Sequence, residues 1–171
     1  HANGSLVAWA GIPYPVGHSV TCILPNRYPY YLEFMPGIES IIIFKNDKDN
    51  RAAEAVKSAD IIFCLDFHSL SRLDQLGDLI DENQHAKRAL IDHHLDPSEV
   101  FDLMLSYPEA SSTCYLVGRI IEQLFSSERI TRSMAENLFV GMMTDTGNFA
   151  FSTVTPDLFR MVSVLAATGI S

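Results

Sequence analysis

Two stretches decide the fold: Ile61-Ile62-Phe63-Cys64-Leu65-Asp66 and Ala89-Leu90-Ile91-Asp92-His93-His94. Each is a short, continuous apolar run that stops abruptly at an acid, the pattern of a strand buried on both faces. A helix-forming stretch, about Arg72 to Asp81, lies between them, and Arg51 to Ser58 has similar composition before the first run. Strand, helix, strand in that order indicates a parallel sheet. Asp66 and Asp92 are 26 residues apart, about one such unit, so both acids emerge at the same end of the sheet.

Working outward, Ser19 to Leu24 and Ile41 to Phe44 read as further buried strands. From Ser111 onward the period changes. Cys114, Val117, Ile121, Leu124 and Phe125 recur at helical spacing behind Ser111-Ser112-Thr113, any of which could cap the helix. A second helix is expected from about Thr131 through Met142. A third begins at Thr155-Pro156-Asp157, which supplies a capping hydroxyl, a proline at the first helical position and an acid at the positive end of the dipole. The predicted class is α/β: a mainly parallel β-sheet flanked by helices, with a more helical C-terminal half.

Length and composition agree with one ordinary globular domain. The chain has 171 residues, close to the roughly 150 of a typical domain, with 47% hydrophobic and 19% charged residues. Lys+Arg is 12 against Asp+Glu 21, a net charge of −9 that repels nucleic-acid backbones and anionic membranes. A phosphate ligand would therefore need some other source of positive potential. No apolar run reaches the roughly 18 residues of a membrane span, and a cytoplasmic location is expected. Cys22, Cys64 and Cys114 are odd in number and contain no CxxC pair, so buried reduced thiols are expected.

In open α/β sheets, ligands bind at the carboxyl ends of the strands, where Asp66, Asp92, His93 and His94 would share a crevice. Taken singly, Asp66 reads equally well as a helix cap and the histidines as polar loop residues. As a set, carboxylates with imidazoles suit Mn²⁺ or Fe²⁺ and could hold Zn²⁺. Two such ions about 3.5 to 4 Å apart can share a bridging carboxylate, activate water and stabilise charge on a phosphoryl group. The stretch Gly141-Met142-Met143-Thr144-Asp145-Thr146-Gly147-Asn148-Phe149 adds Asp145 where an apolar helix enters a glycine turn. That stretch also reads as a plain helix end with Gly147 left-handed.

Together these residues resemble the DHH phosphoesterases, named for the triplet that stands here as Asp92-His93-His94. Leu65-Asp66, the triplet, Ser111-Ser112-Thr113 and Thr144-Asp145-Thr146-Gly147-Asn148-Phe149 occur in the family's order and approximate spacing. The chain is most similar to the bacterial members that degrade very short oligoribonucleotides and remove phosphate from adenosine 3′,5′-bisphosphate. The resemblance implies that Asp66 bridges two Mn²⁺ ions and that His93 and Asp145 are ligands of the second. It implies that His94 contacts the scissile phosphate or supports its transition state, that Asp92 orients the cluster, and that Ser112 and Thr113 are weaker substrate-binding candidates.

The opening departs from the family pattern His-x-x-Pro-Asp-Gly-Asp-Ala-x-Gly-Ser. His1-Ala2-Asn3 fits its beginning and Gly4-Ser5 its end, without the acidic loop between them. His1 is the remaining metal-ligand candidate, and a mobile acidic loop missing from the chain is expected, with a true deletion as the alternative. A chain matching the 19.0 kDa mass would remove the missing-loop explanation. Leu6 to Val16 falls short of the long helix expected there, since Pro13 and Pro15 interrupt it. Residues 1–171 are read as a single catalytic domain without the family's C-terminal substrate-binding domain.

The expected activity is Mn²⁺-dependent hydrolysis of phosphate esters in short oligonucleotides, dinucleotides or nucleoside bisphosphates. Inorganic pyrophosphatase is the second reading, and a noncatalytic nucleotide- or metal-binding module the third. Expected partners are a small nucleotide or short oligonucleotide and a second copy of the chain, with neither duplex nucleic acid nor membrane. His18, His68 and His85 read as surface or loop histidines, with His68 alone near enough in sequence to Asp66 to reach the metal site. Tyr28, Tyr30, Tyr31 and Phe34 read as packing against Pro25, Pro29 and Pro36 rather than stacking on bases, and Trp9 as core.

Overall fold

The computed structural model describes residues 2–12, 14, 17–151 and 153–171. Among the described residues five strands run in chain order: β1 (Ile23–Leu24), β2 (Ile42–Ile43), β3 (Ile61–Leu65), β4 (Lys87–Asp92) and β5 (Leu103–Ser106). The helices are α1 (Ala2–Ala10), α2 (Arg51–Ser58), α3 (Gln75–Glu82), α4 (Thr113–Leu124), α5 (Arg132–Asp145) and α6 (Pro156–Ala166). Every described strand pairing is parallel, as expected for the α/β class, and the chain beyond Ser106 is helical. The strands form two sheets, β1-β2 and β3-β4-β5, rather than one.

The central sheet follows from the two apolar runs. Leu65 pairs with Ile91 across β3 and β4, and Ile91 with Leu105 across β4 and β5. Because side chains alternate along a strand, Leu65 and Ile91 enter one core while Cys64 and Leu90 enter another. The first core takes Ala8 of α1, Val117 and Ile121 of α4, Leu138 and Met142 of α5, and Leu158, Met161 and Leu165 of α6. The second takes Val56 of α2 and Leu76 and Ile80 of α3. Helices on both faces explain why β3 and β4 read as unbroken apolar runs.

Helix α6 shows the local logic. Thr155 Oγ1 accepts the Leu158 N–H at 3.2 Å, Pro156 opens the helix, and Asp157 lies in the first turn. Leu158, Met161 and Leu165 recur on one face and are fully buried, each stabilising the fold by roughly 1.5–3 kcal/mol before ordering costs. Truncating Met161 to alanine would open a cavity against Gly118, whose α-carbon faces the methionine sulfur.

Several elements differ from the sequence reading. Residues 2–10 are helical, and α1 ends three positions before Pro13; the proline limits the helix instead of preventing it. Pro13, Pro15 and Val16 lie outside the described residues. The helix expected over Arg72 to Asp81 is a 3₁₀ turn, Leu70–Leu73, followed by α3, with Asp74 at φ 50° between them. Strands β1 and β2 keep only two residues each, and β5 is an element the pattern did not reveal. Tyr30, Tyr31 and Phe34 are 83%, 55% and 68% exposed, so the packing reading holds for Tyr28 alone, which lies against the core of β1 and β2. Trp9 and all three cysteines are buried as expected. Among the described residues no helix is long and apolar enough to cross a membrane.

Candidate metal centre

The site sits at the carboxyl end of the central sheet. The Asp66 N–H donates to the Ile91 carbonyl at 3.0 Å, extending the β3–β4 ladder by one bond before the chain turns away. That turn puts Asp66 at φ 68°, a left-handed conformation that costs a non-glycine residue on the order of 1–3 kcal/mol. Asp92 is the last residue of β4, paired with Ser106 of β5 and fully buried. The parallel register therefore carries both acids to one edge.

Asp66, His93 and His94 each offer a ligand atom, and the three atoms lie within 4.8 Å of one another. His93 Nε2 is 3.6 Å from Asp66 Oδ1, and its Nδ1 is 3.2 Å from the Ala110 carbonyl. With Nδ1 donating to that carbonyl, Nε2 presents a lone pair toward the carboxylate, as a metal-ligating imidazole does. His94 Nδ1 is 2.6 Å from Asp92 Oδ1, which leaves the Nε2 of that half-exposed ring as its outer nitrogen.

Helix α4 begins against this cluster. Ser112, Thr113 and Ser111 were all open as caps; Ser112 is the one used, its Oγ accepting the Tyr115 N–H at 3.0 Å. Thr113 Oγ1 donates to Asp66 Oδ1 at 2.9 Å, so the positive end of the helix dipole and a hydroxyl both face the carboxylate. Ser112 and Thr113 are buried, and each hydroxyl has a partner within the protein: Ser112 caps the helix and Thr113 holds Asp66.

Asp145 closes α5 and is not one of the three gathered donors. It does lie close enough to share an electrostatic neighbourhood with Asp66. Burial pushes the Cys114 thiol up to about 12, and the charges of Asp66 and Asp145 both add to the rise. Beyond Asp145, Thr146 is buried, donating to the Met142 carbonyl at 2.7 Å and accepting the Phe149 N–H at 3.0 Å. Gly147 is left-handed as expected, and Asn148 and Phe149 follow it at φ 58° and 64°. Three consecutive left-handed residues make this a strained turn beside the site. His1 lies outside the described residues.

His68, read as a loop histidine near enough in sequence to Asp66 to reach the site, has its ring centroid 5.8 Å from that of His94. The available signal was its position two residues after a strand-ending acid. His18 and His85 are exposed, as expected.

A mixed carboxylate and imidazole set, with a nearly buried Asp66 held by a hydroxyl and two imidazoles anchored at Nδ1, fits a divalent cation of the Mn²⁺, Fe²⁺ or Zn²⁺ kind. Comparison with known proteins gives the same direction. The DHH family N-terminal domain matches residues 2–142. The chain belongs to the DHH family. A crystal structure of an exopolyphosphatase-related protein from Bacteroides fragilis superposes with a TM-score of 0.93 at 33% identity, covering 99% of this chain and 49% of that one. The bifunctional oligoribonuclease and PAP phosphatase NrnA of Thermus thermophilus is 31% identical over 80 residues, 47% of this chain and 24% of that protein. An uncharacterized Mycoplasma pneumoniae protein, the MG371 homolog, is 31% identical over 94 residues, 54% of this chain and 28% of that protein. The chain thus spans about half of the similar solved chain, and the curated matches cover about a quarter of those relatives.

Proposed function

We propose that this DHH-family chain is the catalytic part of a Mn²⁺-dependent phosphoesterase that hydrolyses short oligonucleotides, dinucleotides or nucleoside bisphosphates at a two-metal centre. The observation that carries the reading is the gathering of Asp66, His93 and His94 at the carboxyl ends of two adjacent parallel strands. Asp66, His93 and Asp145 would hold the cations, with His1 as a further ligand. Bound divalent ions supply Lewis acidity for water activation and neutralise phosphoryl charge. The cations also supply the positive potential that a chain of net charge −9 lacks.

The protein's own groups do the orienting. Thr113 fixes one Asp66 oxygen, and Ala110 fixes the His93 ring. Asp92 holds His94 at Nδ1, and when both ring nitrogens carry protons the outer one can donate to a phosphate oxygen as charge develops there. A small nucleotide or short oligonucleotide is the proposed partner, in a cytoplasmic setting and with a second copy of the chain as a further partner. The substrate class is supported by the Thermus relative, whose name states oligoribonuclease and PAP phosphatase activity. The exopolyphosphatase-related structure is compatible with a phosphoanhydride substrate and keeps pyrophosphatase as the second reading.

The test compares Mn²⁺-dependent turnover of a dinucleotide, adenosine 3′,5′-bisphosphate and pyrophosphate by the full protein and its Asp145→Asn variant. Phosphate-ester turnover, reduced on the order of a hundredfold by the substitution, is expected. Pyrophosphate as the preferred substrate would move the assignment to the second reading, and intact turnover in Asp145→Asn would remove Asp145 from the ligand set.

A further inference from the structure

Three imidazoles stand in series at the edge of the central sheet. His93 faces Asp66, the His94 ring is 4.9 Å from the His93 ring, and the His68 ring is 5.8 Å from the His94 ring at an interplanar angle of 44°. The first two each commit a nitrogen to the protein, His93 to the Ala110 carbonyl and His94 to Asp92. Among the described residues, no hydrogen bond takes up either ring nitrogen of His68, and His68 is outside the three-donor cluster.

The backbone holds His68 in this position. Asp66 turns the chain out of β3, Phe67 packs into the core of α2 and α3, and His68 follows beside His94. The Ser98 N–H donates to the His68 carbonyl at 2.8 Å, tying the loop after β3 to the loop after β4. A half-buried imidazole on a braced loop, with both nitrogens uncommitted, is organised to bind something. The Asp66 carboxylate faces His93 at one end of the series, and an imidazole N–H at the other end suits an acceptor-rich anion.

We propose that His68 is a specificity residue of the same site, donating an N–H to a phosphate group adjacent to the one held at Asp66 and His93. The inference rests on the phosphoesterase reading for the identity of the inner group. His68 adds a preference for substrates carrying a second phosphorus within reach, since its ring neighbours that of His94, which in turn neighbours His93.

Calorimetric titration of the Mn²⁺-loaded full protein with methylphosphonate and with the hydrolysis-resistant methylenediphosphonate tests this. His68→Ala is expected to weaken methylenediphosphonate binding about tenfold, the loss of one hydrogen bond to a charged group, and methylphosphonate binding less than twofold. His68→Asn, which retains an N–H donor, is expected to recover most of the loss, and Mn²⁺ affinity is expected to be unchanged in both variants. Equal weakening of both phosphonates, no weakening, no recovery by asparagine or a fall in Mn²⁺ affinity would each overturn the proposal. Metal-dependent phosphonate binding without turnover of any ester would overturn the phosphoesterase reading alone; binding of neither phosphonate by the wild-type protein would overturn both.

Discussion

Asp92 holds His94 at two points: its Oδ1 lies 2.6 Å from His94 Nδ1, and its Oδ2 accepts the His94 backbone N–H at 3.2 Å. Asp92 is fully buried, whereas the His94 side chain is 46% exposed, so a carboxylate inside the fold sets the orientation of a ring at its surface. Asp92→Asn keeps the shape and removes the charge. Turnover is expected to fall about 10–100-fold with a nearly unchanged near-ultraviolet circular dichroism spectrum. A loss of tertiary signal in parallel with activity would instead make Asp92 a folding residue.

The hydroxyl of Thr113 donates to Asp66 Oδ1 at 2.9 Å. Thr113→Val preserves the shape and deletes that bond. The metal-free protein is expected to lose roughly 1.5–3 kcal/mol of stability, and Thr113→Ser to restore most of it. Urea titration of the three proteins in the presence of a chelator measures the difference.

Gly147 has φ 58°, and a Cβ placed on it would meet the Phe151 ring at 2.6 Å. Gly147→Ala therefore combines backbone strain with a side-chain clash, and a destabilisation of about 1–3 kcal/mol is expected. Adding Phe151→Ala relieves the clash but not the strain, so the double variant is expected to recover only part of the loss. Full recovery would show that the backbone conformation costs nothing there.

Burial raises the thiols of Cys22, Cys64 and Cys114 to about 11, 12 and 12. At pH 8 the thiolate is then a minute fraction of each, and a thiol-exchange reagent reacts through the thiolate. The native protein is expected to show almost no labelling over minutes and three labelled thiols after unfolding. Rapid native labelling would mean that one of these cores opens readily.

The fold was legible where tertiary context and local pattern agree. Ile62 to Leu65 and Leu90 to Ile91 alternate into cores on the two faces of the sheet, so their composition alone marked the strands, and the acids that follow marked the edge. Strand β5 escaped because Leu103 and Met104 are 55% and 42% exposed, and a four-residue edge strand carries little periodicity. Helix α1 escaped because Pro13 and Pro15 were weighed as interruptions, although they fall beyond its end. At the site, the triplet, Asp66 and a cap within Ser111 to Thr113 were readable from residue type and spacing, though not which of the three would cap. The Thr113 bond to Asp66 spans 47 positions and the His93 anchor on Ala110 spans 17; such pairings depend on how α4 docks on the sheet, which no local pattern encodes.

Crystals of the full protein soaked in Mn²⁺, with diffraction recorded at the manganese absorption edge, test the central claim most directly. An anomalous peak is expected within coordination distance of Asp66 and His93, with a second close by toward Asp145. Anomalous density elsewhere on the molecule, with Asp66 and His93 left without a neighbouring peak at saturating Mn²⁺, would contradict the account.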